Sequence, residues 1–186
     1  MRGCRIAGYD KIHLVPFGEY LPLRPILGWV TKIVPIDDFN PGKAYKVFSL
    51  APSNKKFGVL ICFEDTLGYL RRQFALAGAD LFVNMTNDAW FKDTKAPFLH
   101  LQAAVFGCVE NHRSLVRAAN TGVSGLVDPW GRIITTVVDG QDKKTFIEGV
   151  AWGSLPIDHE KTFYTKFGDI FTYGCFLCIL VAVAFL

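Results

Sequence analysis

Along the middle of the chain, short runs of apolar residues alternate with segments whose apolar residues recur every three or four positions. Lys56–Cys62 is a short apolar run with β-branched members, which is typical of a buried strand, and Leu81–Met85 is predicted to be a second buried strand. Residues 66–79 lie between them and have helical spacing, and a second helical segment begins at Pro97 and ends near Arg113. The alternation of strand and helix predicts an α/β domain with a core sheet flanked by helices.

Later segments extend this sheet. Four further strands are predicted, at Ser114–Ala119, Ser124–Asp128, Ile133–Val138 and Phe146–Ala151. The Pro-Trp-Gly sequence at 129–131 indicates a hairpin turn. Near the start, the sequence RIAGYDKIHLV at residues 5–15 also has the pattern of a strand. Residues 21–55 are rich in proline and glycine, and we interpret them as an extended loop that covers a site.

The last part of the chain has a different pattern. Residues 170–186, IFTYGCFLCILVAVAFL, contain no charged residue and have no polar face. A helix over this segment would be about 25 Å long, and roughly 17–25 residues are needed to cross a bilayer. We therefore predict one C-terminal transmembrane helix at 170–186, with a buried C-terminal helix as the alternative.

Composition narrows the class of protein. The chain has 186 residues, which predicts one domain, and 51% of them are hydrophobic, which excludes a disordered chain. The net charge of +3 excludes a strongly basic nucleic-acid-binding protein. Five cysteines, an odd number, argue against a disulfide scaffold. Because a strand pattern begins within a few residues of Met1, without a signal peptide, we expect a catalytic domain at 1–165 that is truncated at its N-terminus.

Cys62 is the strongest candidate nucleophile. It ends a predicted buried strand and precedes a predicted helix, so its side chain is expected at the edge of the sheet where α/β proteins place ligands. A helix N-terminus at this position favours a thiolate. The alternative is a small buried hydrophobic residue, which is the usual environment of a free cysteine.

Lys11 is a second candidate. A lysine between apolar strand residues is costly to bury unless it is paired, and Glu19 is available eight residues later. A paired lysine could stabilise an oxyanion, whereas the alternative is a surface lysine on an edge strand. His13 alternates with Lys11 and is assigned only a structural role.

A polar and aromatic cluster, Asn84–Phe91, follows the second predicted strand. Its amides, including Asn87, could orient a substrate carbonyl, or they could only satisfy backbone groups in a turn. Trp90 is expected to form a contact surface, because aromatic residues in loops usually do so. No metal site is predicted, since the four histidines are scattered and the Cys175–Cys178 pair lies in the apolar tail.

Four motifs carry a resemblance to a known family: YDKIHLVPFGEYLP, GVLICFED, FVNMTNDAWF and LVRAANTGVSGLVDPWGRI. Together they resemble the apolipoprotein N-acyltransferases, the membrane members of the nitrilase or carbon-nitrogen hydrolase superfamily. The resemblance extends from about Tyr9 to Phe185. It implies a nitrilase-like α-β-β-α sandwich, with the first part of the sandwich missing from this chain.

The resemblance also implies roles for particular residues. Cys62 matches the nucleophile that forms a thioester, Lys11 matches the lysine of a Glu-Lys-Cys triad, and Glu19 matches a supporting glutamate. Glu64 and Trp90 match residues beside the nucleophile.

The implied reaction and location follow from the same family. The acyl donor is a phospholipid, the acceptor is the diacylglyceryl-cysteine of a lipoprotein, and no metal or soluble cofactor takes part. The site would lie at the bacterial inner membrane and face the periplasm or the cell exterior.

The chain departs from the family because the general-base glutamate and the preceding membrane helices have no counterpart in it. An N-terminal partner half could supply them. The alternatives are a nitrilase-type amidase that hydrolyses a small amide, and a catalytically inactive remnant or subunit.

Overall fold

The computed structural model describes residues 7–29 and 38–185 and contains, within them, one mixed sheet. The strands follow one another across the sheet in chain order, and only the two central pairs, β2 with β3 and β3 with β4, are parallel. The strands are β1 Val47–Leu50, β2 Lys55–Ile61, β3 Leu81–Asn87, β4 Ser114–Asn120, β5 Gly125–Val127 and β6 Ile133–Thr136. The predicted α/β class is therefore confirmed.

Helices connect the parallel strands, as crossovers between parallel strands require. The helices are α1 Arg24–Leu27, α2 Gly68–Leu76, α3 Ala96–Asn111, α4 Phe163–Phe167 and α5 Ile170–Ala184. Side chains of α2 and α3, such as Phe74 and Leu101, pack with Leu60, Phe82 and Leu115 of the sheet in one apolar core. The predicted helices at 66–79 and 97–113 are both present. Helix α2 is shorter than predicted at both ends, and α3 begins and ends slightly earlier than predicted.

The opposite face of the central strands is less covered. Phe82, Asn84 and Thr86 of β3 are buried, whereas Met85, which points to the other face, is 49% exposed. Val83 and its register partner Val116 on β4 are only half-buried. An apolar sheet face is thus accessible next to the covered one.

The parallel arrangement brings three loops to one edge of the sheet. Ile61 pairs with Met85, and Asn87 pairs with Asn120, so β2, β3 and β4 all end at this edge. Residues that follow the carboxyl ends of parallel strands commonly bind ligands. Cys62 follows β2 directly.

Two predicted strands are wrong. Within residues 7–15 no strand forms, and residues 5 and 6 lie outside the described part of the chain. Backbone N–H groups there bind glutamate side chains rather than a neighbouring strand. Residues 146–151 also form no strand, because Phe146 has a left-handed backbone (φ 55°) and its N–H binds the Thr121 carbonyl.

The predicted extended loop at 21–55 contains regular structure that the sequence pattern did not indicate. It includes α1 and the edge strand β1, which pairs antiparallel with β2. Residues 30–37 of this loop lie outside the described part of the chain.

The apolar tail forms a single helix. Helix α5 has 15 residues, none of them buried. Among the described residues, no helix is both long enough and apolar enough to span a membrane, so the predicted transmembrane helix at 170–186 has no support in the structure.

Candidate active site

Cys62 lies on a tight turn at the carboxyl edge of the sheet. It is the first residue of a short 3₁₀ helix, Cys62–Thr66, which we call the Cys62 turn. Its backbone is left-handed, with φ of 55°, a conformation that typically costs a non-glycine residue about 1–3 kcal/mol. The thiol is half-buried, in contrast to that of Cys108, which lies in the core. The turn therefore holds Cys62 in a strained conformation at an accessible edge.

Glu64 connects the Cys62 turn to the segment that carries Lys11. Its carboxylate is fully buried. Oε1 accepts hydrogen bonds from the backbone N–H groups of Ile12 (2.7 Å) and His13 (3.0 Å), and Oε2 accepts one from Ile61 N–H (2.8 Å). Tyr9 donates its hydroxyl to the same carboxylate, at 3.0 and 3.1 Å. One side chain thus holds residues on both sides of Lys11 next to the end of β2.

Tyr9 supports this arrangement as a permanent donor. Burial and the adjacent Glu64 carboxylate raise the pKa of Tyr9 well above its usual value. Its hydroxyl therefore stays protonated at physiological pH, and its ring packs edge-on against Phe74 in the core, with 5.7 Å between ring centroids.

Lys11 is paired with Glu19. The Lys11 Nζ lies 2.6 Å from Glu19 Oε1 and 2.7 Å from Oε2, and Glu19 Oε2 also accepts the Val15 N–H at 2.9 Å. The Lys11 side chain is 10% exposed and that of Glu19 is 23% exposed. The structure thus brings the two predicted residues together in a partly buried ion pair, adjacent to the backbone that Glu64 holds.

Asn87 and Trp90 lie at the same edge, after β3. Asn87 is the last residue of β3, and its Oδ1 accepts hydrogen bonds from Ala89 N–H (3.3 Å) and Asn120 Nδ2 (2.8 Å). This is the turn chemistry that we considered as the alternative role for its amide. Trp90, in the short 3₁₀ helix Asp88–Phe91 that we call the Trp90 turn, is 83% exposed.

A buried cluster of charges beneath these turns was missed by the sequence analysis. The charge cluster consists of Asp65, Asp88, His100 and Arg117, all of which are buried. His100 Nε2 lies 2.7 Å from Asp65 Oδ1, and its Nδ1 lies 3.0 Å from Asp88 Oδ1. Arg117 donates from Nη1 to Asp65 and from Nη2 to Asp88 (3.1 Å). Each cation therefore bridges the same two carboxylates.

The cluster changes the pKa of its members. Burial alone would lower the pKa of His100, but hydrogen bonds to the Asp65 and Asp88 carboxylates outweigh burial and raise it to about 9. For Asp88, burial opposes ionisation, and the contacts with His100 and Arg117 outweigh it, so its pKa is lowered. His100 is therefore an imidazolium at neutral pH.

We expect this histidine to make stability fall at alkaline pH. A raised histidine pKa stabilises the fold fully below the ordinary value of 6.5, and this contribution is lost as the pH rises through about 9. The free energy of unfolding, measured by urea titration, should fall by about 1–3 kcal/mol over this range. His100→Gln should remove that slope, and an equal slope in the variant would contradict the assignment.

Among the described residues, no group of three or more His, Cys, Asp or Glu side chains is arranged to hold a metal ion. In the charge cluster, Arg117 already binds both carboxylates. The signal in the sequence that could have revealed this cluster is Arg117 itself, a lone cation in the middle of an otherwise apolar predicted strand.

Comparisons with known proteins show the family to which the chain belongs. The model of the carbon-nitrogen hydrolase family matches residues 2–151. An apolipoprotein N-acyltransferase of Geobacter metallireducens is 40% identical over 179 residues, which are 95% of this chain and 33% of the relative. Apolipoprotein N-acyltransferase 1 of Treponema pallidum is 37% identical over 175 residues, which are 92% of this chain and 30% of the relative. These matches confirm the resemblance in the sequence, and the chain spans about a third of the length of these relatives.

Solved structures show the same fold. An amidase from Nesterenkonia sp. AN1, with acrylamide added at its active-site cysteine, superimposes with a TM-score of 0.50 and 23% sequence identity. The match covers 71% of this chain and 47% of the amidase. At this identity the match supports the nitrilase-like α/β fold alone.

Proposed function

Because the chain belongs to the carbon-nitrogen hydrolase family, we propose that its Cys62 site performs the acyl transfer of an apolipoprotein N-acyltransferase. The proposal rests mainly on the Glu64 carboxylate. It binds the backbone N–H groups of Ile61, at the end of β2, and of Ile12, next to Lys11, and so holds the two segments together. The names of the relatives support a lipoprotein acceptor, and the phospholipid acyl donor is what the family resemblance implies.

The proposed reaction has two steps. In the first, the Cys62 sulfur forms a bond to the ester carbonyl of the phospholipid, the ester C–O bond breaks, and the lysophospholipid leaves as an alcohol after taking up a proton. In the second, the α-amine of the diacylglyceryl-cysteine forms an amide with the acyl carbon, and the C–S bond breaks. Cys62 recovers a proton, so the enzyme is unchanged.

Lys11 is proposed to stabilise the oxyanion of both tetrahedral intermediates. A charge that is already oriented lowers the barrier without reorganising in the reaction. Glu19 orients the Lys11 ammonium through two short contacts and is itself held by Val15 N–H. Glu64 and Glu19 are thus positioning residues for the nucleophile and the lysine.

The accessible sheet face offers a place for the remaining part of the catalytic domain. Half-buried Val83 and Val116 and exposed Met85 form an apolar surface opposite α2 and α3. We propose that a second sheet, provided by an N-terminal partner half, covers this face and completes the α-β-β-α sandwich. The same partner would supply the triad glutamate that receives the thiol proton.

The exposed apolar residues indicate how the domain would contact the membrane that contains the phospholipid acyl donor. Helix α5 exposes apolar side chains on all sides, and Trp90 is exposed at the same edge of the sheet as Cys62. Such surfaces are favourable in contact with lipid. We propose that α5 attaches the domain to the bacterial inner membrane, with the site on the periplasmic or outer side.

The proposal is tested by an acyl-transfer assay in vesicles. The chain is incubated in two ways: alone, and together with the part of the Geobacter metallireducens relative that does not align with this chain. The vesicles contain phosphatidylethanolamine with a deuterated acyl chain, and the acceptor is a diacylglyceryl-cysteine peptide. We expect the peptide to gain the deuterated chain as an amide, and the chain to float with the vesicles.

Other outcomes identify the alternatives. Release of ammonia from small amides without transfer to the peptide would favour an amidase. No reaction in either mixture would favour an inactive remnant or subunit.

Lys11→Met should slow thioester formation by about 10²–10³-fold, because methionine keeps the unbranched apolar stem but lacks the ammonium group that stabilises an oxyanion. The rate is measured by mass spectrometry of the acylated chain in the same assay. The matched control is Lys46→Met. This variant removes a lysine whose Nζ donates to the Gly8 carbonyl (2.7 Å), and it should change the rate less than about twofold. Equal rates for the two variants would refute the role of Lys11.

A further inference from the structure

The charge cluster lies between the two turns of the proposed site. Its four members come from four segments: Asp65 from the Cys62 turn, Asp88 from the Trp90 turn, His100 from α3 and Arg117 from β4. Two cations and two carboxylates leave no net charge inside the core. Arg117 Nη2 also lies 2.9 Å from His100 Nδ1, an unfavourable approach of two cations that the shared carboxylates offset. Such a network is costly to bury, and well-packed apolar residues of equal volume often stabilise a fold as well.

The cluster reaches the backbone of the nucleophile. Asn84 Oδ1 accepts a hydrogen bond from Arg117 Nη1 at 2.8 Å, and its Nδ2 donates to the carbonyls of Leu60 (3.2 Å) and Cys62 (3.3 Å). Asp65 is part of the same turn as Cys62. The strained, left-handed backbone of Cys62 is therefore held from within the core as well as by Glu64.

The cluster also holds the turn that carries Trp90. Asp88 begins that turn, and its Oδ1 accepts the Thr86 hydroxyl at 3.0 Å. Phe91 packs edge-on against the His100 ring, with 6.1 Å between ring centroids. On the other side of Asp88, a Cβ at Gly122 would collide with the carboxylate, so glycine is required for this close approach.

We propose that the charge cluster is a positioning device that fixes the Cys62 turn and the Trp90 turn relative to each other. Arg117 and His100 act as parallel bridges, because each binds one carboxylate from each turn. The spacing between the nucleophile and the exposed aromatic turn is thereby set by groups that touch neither substrate. The inference rests on the proposed function of Cys62, because only then does this spacing affect a rate.

The test compares two buried arginines, Arg117 within β4 and Arg113 directly before it. Arg117→Lys leaves a single cationic point that cannot span both carboxylates. The matched control is Arg113→Lys. Arg113 is also buried, but it donates to backbone carbonyls at the other edge of the sheet, including those of Ala79 (2.8 Å) and Asp158 (2.8 Å).

Two readouts separate positioning from general stability. Amide hydrogen exchange of the full chain, followed by mass spectrometry, reports on the peptides that contain residues 60–66 and 86–92. Arg117→Lys should speed exchange in both peptides by about tenfold or more, whereas Arg113→Lys should leave both near wild type. In the vesicle assay, Arg117→Lys should slow Cys62 acylation by about 10²-fold, and Arg113→Lys by less than about threefold.

The outcomes are distinguishable. Unchanged exchange in either turn, or equal effects of the two variants, overturns the inference. Faster exchange with wild-type acylation overturns it too. If wild type forms no acyl adduct but both turns loosen together, the proposed function fails and the coupling of the turns stands. His100→Gln, which removes one bridge only, should give the same pattern at smaller size and replaces Arg117→Lys if that variant does not fold.

Discussion

We expect the Cys62→Ala variant to form no acyl adduct and to transfer no acyl chain to the lipopeptide acceptor. Alanine has no nucleophile, so the first step of the proposed reaction is lost completely rather than slowed. The residue is half-buried at a turn, and the substitution removes only one sulfur atom, so the thermal midpoint should shift little. The measurement is mass spectrometry of the chain and of the acceptor peptide after incubation with labelled vesicles.

Its matched control is Cys178→Ala, which removes an exposed thiol of α5. That variant should keep the wild-type rate. Cys108 is a poor alternative nucleophile, because burial raises the pKa of its thiol to about 12. Acyl transfer that persists in Cys62→Ala and is lost in Cys178→Ala would assign the nucleophile to the tail.

Glu64→Gln should have the largest effect on stability and a large effect on rate. The carboxylate is fully buried and accepts hydrogen bonds from three backbone N–H groups and from Tyr9. A glutamine side chain carries an NH₂ group that would point at one set of these donors. We expect the free energy of unfolding to fall by about 3–5 kcal/mol. Acylation should slow by about 10²-fold, because the segment that carries Lys11 is no longer held next to the Cys62 turn.

The matched control is Glu110→Gln on α3. Burial raises the pKa of Glu110, and its Oε2 has no hydrogen-bond partner, so removing its charge should change stability by less than about 1 kcal/mol and leave the rate unchanged. Urea titration gives the stabilities, and the vesicle assay gives the rates. If Glu64→Gln is as harmless as Glu110→Gln, the carboxylate does not hold the two segments together.

The central sheet could be predicted from the sequence because β2 and β3 each contain a short run of apolar residues, at 57–61 and 81–83. Leu60 and Phe82 in these runs pack in the core with α2 and α3, and such buried positions select apolar residues. The edge strand β1 has no such pattern, since two of its four residues are exposed. Its pairing with β2 depends on tertiary contacts that local sequence does not encode.

The position of Cys62 could be predicted for the same reason. A residue that ends a buried parallel strand lies at the carboxyl edge of the sheet whatever the loops do. The surroundings of Lys11 could not be predicted. Apolar and polar residues alternate around Lys11 as in a strand, but the segment is held by the side chains of Glu64 and Glu19 and not by a neighbouring strand. Glu64 accepts its backbone N–H groups from 52 and 51 residues away.

The charge cluster shows the same limit of local reasoning. Asp65 and Arg117 are separated by 52 residues, and Asp88 and Arg117 by 29. The sequence shows only that Asp65, Asp88 and Arg117 are charged residues near apolar segments. The register of the sheet brings them together. Only β3 and β4, side by side in parallel, place Asn84 opposite Arg117.

The most direct test of the whole account is the mass of the peptide that contains Cys62 after a single turnover. The chain, with its proposed partner half, is mixed with labelled phosphatidylethanolamine vesicles and digested with or without acceptor lipopeptide. We expect one acyl chain on Cys62, which hydroxylamine removes and which disappears when the acceptor is added. An acyl chain on any other residue, or transfer to the acceptor without a Cys62 adduct at any time point, would contradict it.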